Sequence, residues 1–322
     1  MKNIKLLNIT YNKISEYLNN KYLFNRTNLN TKIKDKKKYL TIYCVDTFDE
    51  SWQKQRIEKY LKIKYIINFT DNYPDYIIYN VFGNSHLDPK FNNSIKIAFL
   101  TENTIPDFYQ ADYLIGHHHI NYIDRYFKIP MFMWYNIIQI KKIRDIIISQ
   151  PIRKKFCAAV ISNAFSTDGF RLYFINKLNK YKTVDMGGQI KNNVGGTIKD
   201  KIKFLSSYKF SISMENTKGD GYSSEKIIDS FLSGTIPIYY GNDMLDEYIN
   251  KNSYILVKGH KDIKNKIRYI KKIDNNDDKY KKMLKENLLI DEKANEKVEK
   301  EEKEFLFNIF DQEKLKAFRK KE

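Results

Sequence analysis

The residues of this chain whose types and spacing could do chemistry are concentrated between Tyr208 and Gly241, which reads YKFSISMENTKGDGYSSEKIIDSFLSGTIPIYYG. Lys209 to Met214 alternates as a strand, and Glu215-Asn216 ends it in a polar turn. Gly219 and Gly221 loosen the loop that follows, because glycine allows backbone conformations and close ligand approach that a Cβ forbids. Ser223 or Ser224 can cap a helix whose Ile227, Ile228, Phe231 and Leu232 share one face, so Glu225 and Lys226 face away from that stripe. Gly234 stops the helix, and Thr235 to Tyr240 is a short apolar strand closing at Gly241. Strand ends, loops and helix starts in α/β proteins are where phosphates bind. Upstream, Glu102 follows the apolar run Ile95 to Leu100 and sits in a turn closed by Pro106.

The elements needed to position these groups are present. Tyr39 to Val45, Ile63 to Phe69, Tyr76 to Phe82, Ile95 to Leu100 and Tyr113 to Ile115 read as strands, with helices over Ser51 to Leu61 and Tyr135 to Ser149, the latter ending before Pro151. A second series follows: a strand over Phe156 to Ile161, a helix over Asp168 to Asn179, a strand near Thr183, the Tyr208 to Gly241 stretch, and a strand over Tyr254 to Val257. Alternation of this kind marks an α/β fold with stacked βα units. From Asp274 the chain is charge-rich and free of glycine, with Phe305, Leu306, Ile309 and Phe310 grouped as on a helix.

With 322 residues, 42% of them hydrophobic and 15% aromatic, the chain can bury a substantial core. The net charge of +18 fits an anionic partner (nucleic acid, a membrane surface or a phosphate-bearing substrate), or equally a lysine-rich solvated surface. Cys44 and Cys157 each lie in an apolar run and read as buried small hydrophobes, which implies neither a disulfide framework nor a metal site. His117, His118 and His119 are immediate neighbours that do not easily converge on one ion, so acceptor contact or plain surface is the expectation for them. No signal peptide or membrane-spanning run is visible, and a cytoplasmic protein is expected.

Met214-Glu215-Asn216-Thr217, Tyr222-Ser223-Ser224-Glu225-Lys226 and Gly234-Thr235-Ile236-Pro237-Ile238-Tyr239-Tyr240-Gly241 together resemble the donor-binding motif of the α-1,3-fucosyltransferases, glycosyltransferase family 10. Met214 stands where that family usually has an aromatic, and Ser223-Ser224 replaces Val-Thr. Further blocks are similar to the family. They are Glu102-Asn103-Thr104-Ile105-Pro106, Asp112 to Gly116, Asp124 to Pro130, and Ser162-Asn163 with Arg171. The glycine pairs 187–188 and 195–196 flank a further loop of family type. His117 to His119 depart from it, replacing an aromatic-Asp-Tyr triplet.

The resemblance implies a GT-B architecture, two Rossmann-like α/β domains facing a cleft. An acceptor-side domain would cover 1–150, a donor domain 151–275 and a charged helical tail 276–322. It implies inverting transfer of L-fucose from GDP-fucose to a glycan hydroxyl, with Glu102 as general base. Arg171 and Lys226 would face the diphosphate, Glu225 the ribose, and Asn216 and Tyr222 the donor pocket. Taken singly, Arg171 reads as a solvated helix residue, Glu102 as a turn carboxylate and Glu225 as a first-turn acid. No Asp-x-Asp occurs, so no cofactor is expected to be required, although a divalent metal could stimulate. Through the amphipathic tail, with its basic end Arg319-Lys320-Lys321, an anionic membrane is a further expected partner, alongside the alternative that the tail packs on the body. The competing functions are a same-fold glycosyltransferase with another sugar nucleotide or acceptor, and a non-catalytic basic protein that binds nucleic acid or membrane.

Overall fold

The structure is a computed structural model that describes residues 38–135, 137–149, 155–162, 169–242 and 245–319. Pro151, Asn163, Asp168, Lys320 and Lys321, used above, lie outside the described residues. Two compact units account for the rest: an N-terminal unit of residues 38–135 and 295–319, and a C-terminal unit of residues 137–294. The two units divide near residue 136 and again near 295, where the resemblance implied boundaries at 150 and 275.

The N-terminal unit holds six strands: β1 (Lys38–Val45), β2 (Tyr65–Phe69), β3 (Tyr76–Tyr79), β4 (Ile95–Phe99), β5 (Tyr113–Gly116) and β6 (Tyr126–Lys128). Their order is β2-β1-β3-β4-β5-β6, and each pairing is parallel. Parallel pairing needs a crossover between strands, and α1 (Glu50–Leu61) supplies it between β1 and β2. The Asp49 carboxylate caps α1 by accepting from the Trp52 amide at 3.0 Å. β4 and β5 are buried throughout, as expected of a sheet covered on both faces. β6 has no counterpart in the sequence reading, because three residues beside Arg125 carry too little alternation to register.

The C-terminal unit opens with α2 (Ile137–Ile148) and holds β7 (Lys155–Ala159), α3 (Phe170–Leu178), β8 (Val184–Met186), α4 (Lys201–Leu205), β9 (Tyr208–Met214), α5 (Lys226–Leu232), β10 (Ile236–Tyr240) and β11 (Ile255–Leu256). Two more helices, α6 (Ile263–Asp274) and α7 (Asp277–Leu284), complete it. Its sheet runs β11-β10-β9-β7-β8, again parallel at each pairing. Phe170, Phe174, Phe210, Ile236, Ile238 and Tyr280 fill the core.

The expected tail resolves into three parts. α7 belongs to the C-terminal unit, whereas α8 (Ala294–Phe310) and α9 (Lys314–Ala317) belong to the N-terminal unit. Leu306, Ile309 and Phe310 are 0% exposed. Phe310 packs 4.5 Å from Tyr76, and Phe305 stacks on Phe127 at 5.6 Å. The buried Glu302 carboxylate pairs with Arg56 and accepts from the Tyr60 hydroxyl at 3.1 Å. Arg319, assigned above to a basic membrane end, donates its amide to Asp112 at 2.9 Å and pairs with Asp124 at 2.6 Å. The apolar face proposed for a membrane is thus built into the body of the unit. No helix among the described residues is long and apolar enough to cross a membrane.

Candidate donor and acceptor sites

Both sheets reverse strand order once, between β1 and β3 in the N-terminal unit and between β7 and β9 in the C-terminal unit. In open α/β sheets, ligands bind at such a reversal, beyond the carboxyl ends of the strands. Glu215 and Asn216 stand just beyond β9, and Arg171 is the second residue of α3, which follows β7. The Arg171 guanidinium donates to Asn216 Oδ1 at 2.7 Å, so a hydrogen bond bridges the elements on either side of the reversal.

Glu215 organises this end of the sheet. It is 0% exposed and accepts from the Ser224 amide (2.8 Å), the Ser224 hydroxyl (2.7 Å) and Lys226 Nζ (2.9 Å). Ser224, one of the two serines read as a cap, donates its hydroxyl to Glu215 and accepts from the Lys226 amide at 3.5 Å; α5 begins at Lys226, and Glu225, the residue before it, makes no side-chain cap bond. The Lys226 ammonium reaches Glu215, the Ser224 hydroxyl at 2.9 Å and, more distantly, Glu225 at 3.8 Å. Burial pushes the Lys226 ammonium down in pKa, but Glu215 and Glu225 outweigh it and hold the group above its ordinary value, against the opposing charge of Arg171. For Glu225, burial pushes upward while Lys226 and Lys201 prevail and hold the carboxyl below the usual range. Lys201 is itself anchored to Asp229 at 2.7 Å.

The loop before α5 is fixed by Tyr239. Its buried hydroxyl lies 2.7 Å from Ser223 Oγ, accepts from the Asn242 amide at 3.2 Å and donates to the Tyr222 carbonyl at 3.5 Å. Gly241 is required here, since a Cβ would press on both the Tyr239 hydroxyl and Glu215 Cγ. In the loop between the glycine pairs, the Asn192 amide group donates to the carbonyls of Gly188 (2.8 Å) and Gly196 (2.9 Å). The structure thus gathers Arg171, Asn216, Tyr222, Glu225 and Lys226 at one sheet end. Glu215, Lys201 and Asp229 were not assigned to the site from sequence. The Glu215–Lys226 spacing matches no helical or strand repeat, and the two meet because the start of α5 lies against the end of β9.

Glu102 belongs to the N-terminal unit. It is exposed and lies three residues beyond β4 in a turn where its carbonyl accepts from the Thr104 amide at 2.8 Å. Of the three histidines, His117 is buried and stacks near His118 at 4.3 Å, while His119 Nδ1 lies 2.8 Å from Lys128 Nζ. A surface role for His117 is therefore incorrect. Cys44 and Cys157 are buried free thiols, and burial pushes the Cys44 thiol up to about 12.

Comparison with known proteins follows this geometry. Residues 41–135 match the family model "Alpha-(1,3)-fucosyltransferase FucT N-terminal domain", and residues 150–306 match "Glycosyltransferase family 10 (fucosyltransferase) C-term". The alpha-(1,3)-fucosyltransferase FucT of Helicobacter pylori is 30% identical over 267 residues, covering 71% of this chain and 55% of the relative. The human 4-galactosyl-N-acetylglucosaminide 3-alpha-L-fucosyltransferase 9 is 29% identical over 134 residues, covering 40% and 36%. The chain thus spans about half or less of the length of these relatives. A crystal structure of alpha1,3-fucosyltransferase with GDP superposes with a TM-score of 0.73 at 23% identity, covering 90% of this chain and 95% of that one. The corresponding structure with GDP-fucose gives 0.70 at 24% identity, covering 86% and 93%. At those identities the likeness establishes the fold, which is the GT-B one with two parallel-sheet units. With two family models matching in succession along one such fold, the chain belongs to glycosyltransferase family 10, the fucosyltransferase family.

Proposed function

We propose that this chain transfers L-fucose from GDP-fucose to a glycan hydroxyl with inversion, forming an α-1,3 linkage to the GlcNAc or glucose of a β-galactoside-containing acceptor. The observation that carries the reading is the cation-bearing constellation at the β7/β9 reversal: Arg171 bonded to Asn216, and Lys226 held by Glu215 and Ser224. Two cations at a sheet end suit a diphosphate, whose charge grows as it departs. The relatives named as α-1,3-fucosyltransferases, and the solved structures with GDP and GDP-fucose, support this choice of donor and linkage.

In this reading the acceptor hydroxyl attacks the anomeric carbon from the face opposite the diphosphate. The bond from that carbon to the phosphate oxygen breaks, and its electron pair leaves with GDP. Glu102 takes the hydroxyl proton as attack proceeds. Arg171 and Lys226 face the diphosphate, Glu225 binds the ribose, and Asn216 and Tyr222 line the donor pocket, with no metal bridge required.

A glycan array probed with labelled GDP-fucose tests the donor and acceptor together. Label should appear on β-galactoside glycans carrying a free GlcNAc or glucose 3-hydroxyl; transfer only from another nucleotide sugar overturns the reading. Glu102→Gln keeps the shape and removes basicity. Its transfer should fall by about 10² to 10⁴ with donor affinity unchanged, and near-normal transfer would remove Glu102 as the base.

A further inference from the structure

At the β1/β3 reversal of the N-terminal unit lies a buried Asp–His pair that the transfer chemistry above does not use. Asp46, the residue after β1, has φ 54°, a left-handed conformation that non-glycine residues seldom adopt. Its carboxylate accepts from the amides of Ser85 (3.0 Å) and His86 (2.8 Å), and Oδ2 lies 2.7 Å from His86 Nδ1. A Cβ at Gly83 would collide with this carboxylate. The His86 ring stacks on Tyr79 at 3.8 Å with 11° between planes, and its Nε2 lies 3.1 Å from Gln110 Oε1. The side chains of Asp46 and His86 are each 4% exposed. A pair so enclosed is poorly placed to exchange protons with a substrate, so its role must run through what it holds.

What it holds is one end of the loop that carries Glu102. Gln110 closes that loop, and the Asp107 carboxylate folds the approach to it by accepting from the amides of Tyr109 (2.9 Å) and Gln110 (3.3 Å). The other end is Thr101, whose hydroxyl accepts from the amide group of the buried Asn80, just beyond β3, at 2.9 Å. Glu102 is the next residue. Both ends of the loop are thus tied to residues at the strand-order reversal. We infer that Asp46, His86 and Gln110 form a strut which, with the Asn80–Thr101 bond, fixes the Glu102 loop, making His86 and Gln110 positioning residues for proton transfer. The inference rests on the reading of Glu102 as base.

The test uses Gln110→Ala, Gln110→Glu and His86→Ala alongside Glu102→Gln, each assayed for kcat, for KM of both substrates, and for amide hydrogen exchange across residues 101–111. Gln110→Ala cuts the far end of the strut and leaves Asp46–His86 intact, so it remains readable if His86→Ala does not fold. It should lower kcat by about ten- to a hundredfold, the scale of a misplaced catalytic group, speed exchange in the loop and leave the KM for GDP-fucose unchanged. Gln110→Glu keeps an oxygen facing His86 and should restore most of kcat. An unchanged kcat, or unchanged exchange, in Gln110→Ala overturns the strut. If Glu102→Gln retains full transfer, the base assignment falls and the proton-transfer role of the strut falls with it, whereas normal loop exchange in Gln110→Ala beside an inactive Glu102→Gln sinks the strut alone.

Discussion

Glu215→Gln is the most demanding perturbation of the donor end, because it changes one charge and almost no volume. The carboxylate is 0% exposed and receives three donors, two from Ser224 and one from Lys226. Glutamine keeps one acceptor oxygen but must point its NH₂ at either Ser224 or the ammonium. Lys226 is then left with Glu225 at 3.8 Å as its carboxylate neighbour. Removing one partner of a buried pair costs about 3–5 kcal/mol; the retained oxygen and the 20% exposure of Lys226 reduce this to about 2–4 kcal/mol. For a domain of this size the melting temperature should fall by about 5–15 °C, and GDP-fucose should bind more weakly as Lys226 moves. The gap also has a pH signature. Because the Lys226 pKa is raised in the folded state, its stabilisation is complete below the ordinary lysine value of about 10.4 and is lost as pH rises through the higher folded value. The melting difference between wild type and variant should therefore hold through neutral and mildly alkaline pH and close only in strong alkali. Scanning calorimetry with and without GDP measures both effects. A variant that melts with the wild type and binds GDP-fucose normally, yet transfers nothing, would refute the structural role and place the base at Glu215.

Arg171→Ala and Lys226→Ala should each weaken GDP binding by about ten- to a hundredfold, since hydrogen bonds from charged donors contribute about 1.5–3 kcal/mol, and calorimetric titration reads this directly. In the same preparation EDTA should leave appreciable transfer; complete loss, restored by a divalent ion, would overturn metal-independent donor binding. Deleting residues 301–322 removes Glu302 from Arg56 and the buried Leu306, Ile309 and Phe310 from the core. The truncated chain should be insoluble or lose its cooperative melt. A soluble, fully active truncation that has lost only its binding to anionic vesicles would instead restore the membrane reading of the tail.

The donor end was legible in the sequence because its parts are contiguous. The strand, polar turn, glycine-bearing loop, helix and second strand lie in order between Tyr208 and Gly241, and local pattern suffices to place each. What local pattern could not show was direction. Ser224 beside a helix start reads as a cap, and its Oγ does accept from the Lys226 amide at 3.5 Å, but local pattern does not show that its hydroxyl also donates to the buried Glu215 carboxylate at 2.7 Å, a charge-assisted bond. The tail was left between two readings for a related reason. An amphipathic helix has the same periodicity whether its apolar stripe meets lipid or protein, and only the contacts of Phe310 with Tyr76, and of Glu302 with Arg56, distinguish the two.

The N-terminal unit shows the converse. It repeats the strand-order reversal of the C-terminal sheet, but the residues meeting there, Asp46, Asn80, His86, Thr101 and Gln110, are scattered over five separate stretches and form no motif. Three parallel strands bring them together: β1, β3 and β4 end side by side, so the first polar residues beyond each, Asp46, Asn80 and Thr101, become neighbours whatever their separation in sequence. A reader of the sequence sees Glu102 after an apolar run and can assign it no orientation. The sheet supplies the orientation, by tying the residue before Glu102 to Asn80 and the far end of its loop to His86. The same topological device thus serves opposite ends of the proposed reaction. At one reversal it gathers cations for a departing diphosphate, and at the other it fixes the loop from which a carboxylate would accept a proton.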